Sequence, residues 1–137
     1  MALTAIALDI GTKRIGVAAA SLITRFPHPL TTLTNNDEIV ASIRQVIVTE
    51  EAGIIVAGLP RGLDGQETAQ TAYVRDFVKK LRAEIDLPFF FQDEALTSVR
   101  AEQELKARGG NYEKSAIDAL AAVYILEDYL EETARTI

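Results

Sequence analysis

Four acidic side chains stand where local structure does not demand a charge, and together they suggest one chemistry. Asp9 ends an apolar run that begins at Leu3 and precedes Ile10-Gly11-Thr12. Asp93 and Glu94 end a second run that begins at Phe89, and Asp118 lies in the first turn of a long apolar helical pattern. Carboxylates held close together repel and raise one another's pKa, a penalty that a divalent cation removes. Oxygen ligands without His or Cys select a hard ion, Mg²⁺ or Mn²⁺. Two such ions ~3.5–4 Å apart activate water and stabilise the leaving oxygen of a phosphodiester. Asp9, Asp118 and one of Asp93 and Glu94 are therefore candidate metal ligands and catalytic residues. Neighbours on a strand face opposite ways, so only one of Asp93 and Glu94 can share the direction of Asp9.

Each acid also has a purely structural account. Asp9 before Gly-Thr suits an Asx-type turn. Asp118 is three residues after Ser115, where an acid favours a helix N-terminus. Asp93-Glu94 suits a polar loop leading to a cap at Thr97. Beside Asp9, Gly11-Thr12-Lys13-Arg14 offers backbone N–H groups, a hydroxyl and two cations, a combination that suits a phosphate, with a solvated hairpin turn as the alternative. Arg61 lies in a glycine-rich stretch and Lys114 precedes the last helix, and both are candidates to touch a nucleic-acid backbone. Arg75, Lys79, Lys80 and Arg82 read as the solvated side of a helix, His28 between two prolines as structural, and Phe89-Phe90-Phe91 as core.

The elements that must position these residues follow from pattern. Residues 3–9 read as a buried central strand, 15–20 as a second strand joined by a hairpin, and 28–34 as an edge strand marked by Pro27 and Pro29. Asn35 or Asn36 is expected to cap a helix, with Glu38 at the capping-box spacing from Asn35, and Gly53 to end it. Ile54 to Ala57 form a short buried strand, followed by a loop from Gly58 to Gly65 dense in breakers. A helix is expected over about 67–85, a strand at 89–91 ending at Gln92-Asp93-Glu94, a short helix over about 97–108 and a buried helix from Ser115 to about Thr133. The order β-β-β-α-β-α-β-α-α predicts an α/β fold, a five-stranded mixed sheet with helices on both faces. Sites in open α/β sheets form at the carboxyl ends of strands, which brings Asp9 and Asp93/Glu94 out at one end if strands one, four and five are neighbours.

Composition bounds the function. The chain has 137 residues, no cysteine and one histidine, which excludes a disulfide scaffold and thiolate or His-rich metal sites. That length predicts a single domain over 1–137. No apolar run approaches the ~20 residues of a membrane span, and the N-terminus lacks signal-peptide features, so the expectation is a cytoplasmic protein with no membrane partner, monomeric or homodimeric. The net charge is −6, from 20 acids and 14 bases. Five of the acids and only one base fall in 118–137, which leaves the rest of the chain close to balance. The acidity weakens a nucleic-acid reading without excluding it, because ligand carboxylates are offset by their cation.

Four ordered motifs carry a resemblance: Asp9-Ile-Gly-Thr-Lys-Arg-Ile-Gly-Val-Ala18, Val56-Ala-Gly-Leu-Pro60 with Asp64-Gly65, Asp93-Glu94-Ala-Leu-Thr97-Ser98, and Ile117-Asp118-Ala-Leu-Ala-Ala122. Over essentially its whole length the chain resembles the YqgF family, also called RuvX, of Holliday-junction resolvases or pre-16S rRNA nucleases. The resemblance implies an RNase H-like (RuvC-like) fold and metal-dependent hydrolysis of phosphodiesters in the cytoplasm. It implies structured RNA, the 5′ end of pre-16S rRNA, or branched DNA as partner. It makes Asp9, Glu94 and Asp118 the acids that hold Mg²⁺ or Mn²⁺ and do the catalysis. Thr12, Lys13, Arg14, Arg61, Thr97 and Lys114 are then the nucleic-acid contacts. Ala95 stands where the family carries an arginine, so a fixed cation is missing that Lys13, Arg14 or Arg61 would replace in part. Two rival readings remain: a non-catalytic nucleic-acid-binding or ribosome-assembly factor on a nuclease fold, and a phosphate-binding ATPase-like module suggested by Asp9-Ile-Gly-Thr12.

Overall fold

A computed structural model describes residues 3–94, 103–107 and 114–135, with backbone alone at 114, 115 and 135. The strands are β1 (Thr4–Ile10), β2 (Arg14–Ser21), β3 (His28–Thr34), β4 (Ala52–Pro60) and β5 (Phe89–Glu94). The helices are α1 (Ile39–Glu50), α2 (Ala69–Glu84), a short segment α3 (103–107) and α4 (Lys114–Arg135). The strands form one sheet in the order β3-β2-β1-β4-β5. β1, β2 and β3 pair antiparallel, whereas β4 and β5 run parallel to β1. This is the mixed five-stranded sheet the sequence predicts, with β3 and its one proline, Pro29, at an edge.

The side-chain alternation of β1 builds two unlike faces. Ile6, Leu8 and Ile10 join Ile15, Val17, Ile55, Ala57 and Leu59 on one face, where α1 and α2 cover them with Ile39, Ile43, Val74, Val78 and Leu81. Ala5 and Ala7 join Ala18, Ala20 and Val56 on the other, under Ala122, Val123, Ile125, Leu126 and Leu130 of α4. Bulky side chains hold α1 and α2 off the sheet, while alanines let the α4 backbone approach closely. A fully buried Ile or Leu contributes ~1.5–3 kcal/mol, so the first face supplies more of the stability and the second sets how near α4 lies.

Several boundaries differ from the sequence expectation. The capping box at Asn35 and Glu38 does not form: Glu38 is itself the N-cap, without a side-chain cap bond. The Asn36 Oδ1 accepts from the Glu38 N–H at 3.0 Å instead, while Asn35 donates to the Gly11 carbonyl and the Tyr73 hydroxyl, each at 2.9 Å. A side chain with a tertiary partner elsewhere is not available to the helix. Helix α1 ends at Glu50 on a left-handed Glu51 (φ 53°), so Gly53 lies inside β4 and not at the helix end. Strand β4 continues to Pro60, so Gly58 belongs to the sheet and not to the loop. At the start of α2, Thr68 and Thr71 form a reciprocal capping box. The buried Thr71 hydroxyl also donates to the Pro60 carbonyl, tying the end of β4 to α2. Of the helix expected over 97–108, residues 103–107 are helical and the remainder lies outside the described residues.

Candidate active site

Asp9 shares the face of Ala5 and Ala7, the face that α4 covers. Its partner across β1–β2 is Gly16. On the other side Leu8 pairs with Ala57, which puts Gly58 beside Asp9 in the parallel register. Asp9 is thus flanked by two glycines on its own face. A methyl group at Gly16 would overlap the Asp118 carbonyl and crowd the Ala119 nitrogen. A methyl group at Gly58 would collide with the end of Ile125 and lie 3.1 Å from the Glu94 carboxyl carbon. The missing Cβ atoms make the space into which α4 brings Asp118 and β5 brings Glu94. A glycine inside a strand is the sequence signal for such close approach. The sequence reading does not mark Gly16 or Gly58 for it.

Alternation along β5 separates the two adjacent acids. Phe91 packs with the α1/α2 face, which puts Gln92 and Glu94 on the α4 face. In agreement, Gln92 is buried and its side chain donates to Glu132 of α4 at 3.1 Å. Asp93 points the other way, is 69% exposed, and accepts from Arg61 Nε at 3.2 Å. Of the pair, Glu94 therefore shares the direction of Asp9.

The three carboxylates interact. Asp9 keeps some exposed surface, yet protein surrounds it on nearly every side. Burial first, then the charges of Glu94 and Asp118, push its carboxyl from an ordinary 3.8 up to about 8. A carboxylic acid held neutral near pH 7 by burial and two like neighbours is a mark of a functional site. The donor chemistry fits a hard divalent cation: carboxylates only, crowded enough that a counter-charge would lower their energy. As they stand, no three His, Asp or Glu side chains among the described residues form a group that could hold a metal ion. The Asp118 Oδ2 accepts a hydrogen bond from Arg14 Nε at 2.6 Å.

The expected cations and hydroxyls are distributed unevenly. Arg14 is at the site, but its guanidinium holds Asp118. Thr12 and Lys13 are exposed at the tip of the β1–β2 turn, close in sequence to Asp9. The Gly11 N–H is taken by the Arg14 carbonyl at 2.9 Å, so it is not available for an anion. Gln70 and Asn35 brace this turn by donating to the carbonyls of Ile10 and Gly11. Arg61 pairs with Asp93 and, at 3.6 Å, with Glu67. It lines a cavity of about 480 Å³ together with Gly62, Leu63, Gly65, Asp93 and Glu94. Thr97, the neighbouring Ala95 and the Lys114 side chain lie outside the described residues.

Comparison with known proteins gives the family and the fold. A protein from Maridesulfovibrio salexigens, named "Putative pre-16S rRNA nuclease", is 39% identical over 129 residues, covering 91% of this chain and 96% of its own. A relative of the same name from Thiobacillus denitrificans is 38% identical, covering 93% and 91%. Among solved structures, T. thermophilus RuvC in complex with a Holliday junction substrate superposes with a TM-score of 0.60 at 14% identity, over 98% of this chain and 97% of that one. The Fowlpox virus resolvase in complex with Holliday junction DNA gives 0.55 at 10% identity, over 95% and 98%. These likenesses establish the RuvC-like, RNase H-like fold. The family model RuvX, described as Holliday junction resolvase, matches residues 3–132, and with the relatives it shows that this chain belongs to the RuvX family.

Proposed function

We propose that this protein is a Mg²⁺- or Mn²⁺-dependent nuclease in which Asp9, Glu94 and Asp118 hold the metal and form the catalytic centre. The observation that carries the reading is Asp9 at the end of β1, whose carboxyl is pushed up to about 8 by burial first and then by the charges of Glu94 on β5 and Asp118 on α4. When bound, the cation supplies Lewis acidity toward a phosphoryl oxygen and lowers the pKa of a coordinated water. The chain's own residues set the rest. Gly16 and Gly58 give Asp118 and Glu94 room beside Asp9, and the braced β1–β2 turn presents Thr12 and Lys13 to a substrate backbone. Arg61 stands at the cavity beside Glu94, where it would meet a phosphate in competition with Asp93.

The relatives' name favours pre-16S rRNA as the substrate, and the role we infer is processing of its 5′ end in the cytoplasm. The family description favours branched DNA as a second substrate. No described helix is long and apolar enough to cross a membrane. The test is Mn²⁺-dependent cleavage of a structured precursor RNA and of a four-way DNA junction, with Asp9→Asn as control. Cleavage of either that is lost in EDTA and in Asp9→Asn supports the reading. Substrate binding without cleavage would support the non-catalytic assembly-factor alternative.

A further inference from the structure

The contact between Arg14 and Asp118 has no place in the reading above, which asks Asp118 to serve a metal. The two residues are 104 apart in sequence and meet because Gly16, two positions along β2 on the same face, lets the α4 backbone rest on the strand at Asp118. Arg14 therefore faces Asp118 by the same alternation that puts Gly16 under it. The contact is short, 2.6 Å, and only partly open to solvent, with side-chain exposures of 39% for Arg14 and 19% for Asp118. Asp118 also acts on the Asp9 carboxyl, which Glu94 faces from β5, so Arg14 sets a positive charge against a group of acids. It does so at the price of engaging a carboxylate that the metal requires.

We propose that Arg14 is an internal counter-ion and positioning residue. It occupies Asp118 in the metal-free protein, competes with the divalent cation for that carboxylate, and is released toward the substrate phosphate when the cation takes its place. This rests on the metal-centre reading of Asp9, Glu94 and Asp118. The guanidinium has five N–H donors, and one of them serves Asp118 here. A displaced Arg14 keeps its charge beside the reacting centre, where it would bind the phosphodiester. Metal loading and substrate binding then favour each other, because the phosphate gives the displaced guanidinium a new partner.

The consequence separates this role from a structural one. A residue that merely supports the site would, on removal, weaken metal binding and cleavage together. A competing counter-ion, on removal, leaves Asp118 to the cation: binding tightens while cleavage slows. The test is calorimetric titration of Mn²⁺ into the wild type, Arg14→Gln and Arg14→Lys, without nucleic acid, alongside single-turnover cleavage. For Arg14→Gln the expectation is Mn²⁺ affinity about tenfold tighter, the effect of removing one partly screened positive charge from the ligand shell. Cleavage should fall at least about tenfold at saturating Mn²⁺. Arg14→Lys keeps the charge, and its Mn²⁺ affinity should stay near that of the wild type. Equal or weaker Mn²⁺ binding by Arg14→Gln, in protein whose circular dichroism matches the wild type, overturns the inference. If Arg14→Gln does not fold, tighter binding by Arg14→Lys than by the wild type would overturn it as well, since charge and not shape is the claim. Absence of Mn²⁺ binding in all three proteins would overturn the metal reading itself, which is a different result from equal binding in all three.

Discussion

Replacing Asp9 by Asn should stabilise the metal-free protein, and by an amount that depends on pH in a stated direction. In the fold the Asp9 carboxyl titrates near 8, whereas in the unfolded chain it titrates near 3.8. Below pH 4 both states carry the proton and Asp9 imposes no penalty. As pH rises from about 4 to about 8 the unfolded chain gives up its proton and the fold retains it, so stability falls over that window and stays low above it. At 1.36 kcal/mol per pH unit the whole interval is worth about 6 kcal/mol. The carboxyl keeps some contact with solvent and its neighbours relax, so roughly half, about 3 kcal/mol, is the expected gain for Asp9→Asn at pH 8. The gain should shrink toward zero near pH 4. An amide has nearly the same shape, and its N–H₂ group would donate to the carboxylates that repel an ionised Asp9. Urea unfolding in EDTA at pH 5.5, 6.5, 7.5 and 8.5 measures the difference directly. Mn²⁺ should reverse the order by stabilising the wild type and leaving Asp9→Asn nearly unmoved. If Asp9→Asn were equally or less stable than the wild type across this range, the crowded-carboxylate account of the site would be wrong.

Four further outcomes follow from particular contacts. Gly16→Ala inserts a methyl group into the Asp118 backbone, and should cost ~1–3 kcal/mol in denaturant melts. By moving Asp118 ~1 Å it should also lower cleavage about 100-fold in kinetic assays. Asp93→Asn should leave single-turnover cleavage within about twofold of the wild type, because its exposed carboxylate faces away from Asp9, while Glu94→Gln abolishes it. Thr71→Val keeps the shape but strands the Pro60 carbonyl and one side of the α2 cap, a loss of ~1–3 kcal/mol by urea titration. Ala95→Arg restores the arginine of the family motif next to Glu94, and should raise single-turnover cleavage roughly tenfold or more by stabilising transition-state charge. Unchanged rates would make that departure neutral.

The sequence by itself determined the element order, the mixed sheet and the acids that are candidates for the site. All three rest on local signals: short apolar runs in β1 and β5, a helical period in α2 and an all-round apolar stretch in α4, and charges where the apolar runs stop. It also limited Asp93 and Glu94 to one candidate, because alternation along a strand is local. The choice between them by geometry needed the tertiary structure, since only packing of Phe91 with one face and the Gln92–Glu132 bond tell which face is which. The same holds for Asn35, whose capping spacing was legible but whose bonds to Gly11 and Tyr73 were not. Gly16 and Gly58 acquire their role from the register across three strands and from the α4 backbone lying on them. Arg14 reads in the sequence as a free cation for phosphate, and in the fold it holds Asp118 across 104 residues. Local periodicity decides which residues are strand or helix and which way they alternate. The pairing of distant segments decides which charges meet, and no local pattern encodes that distance.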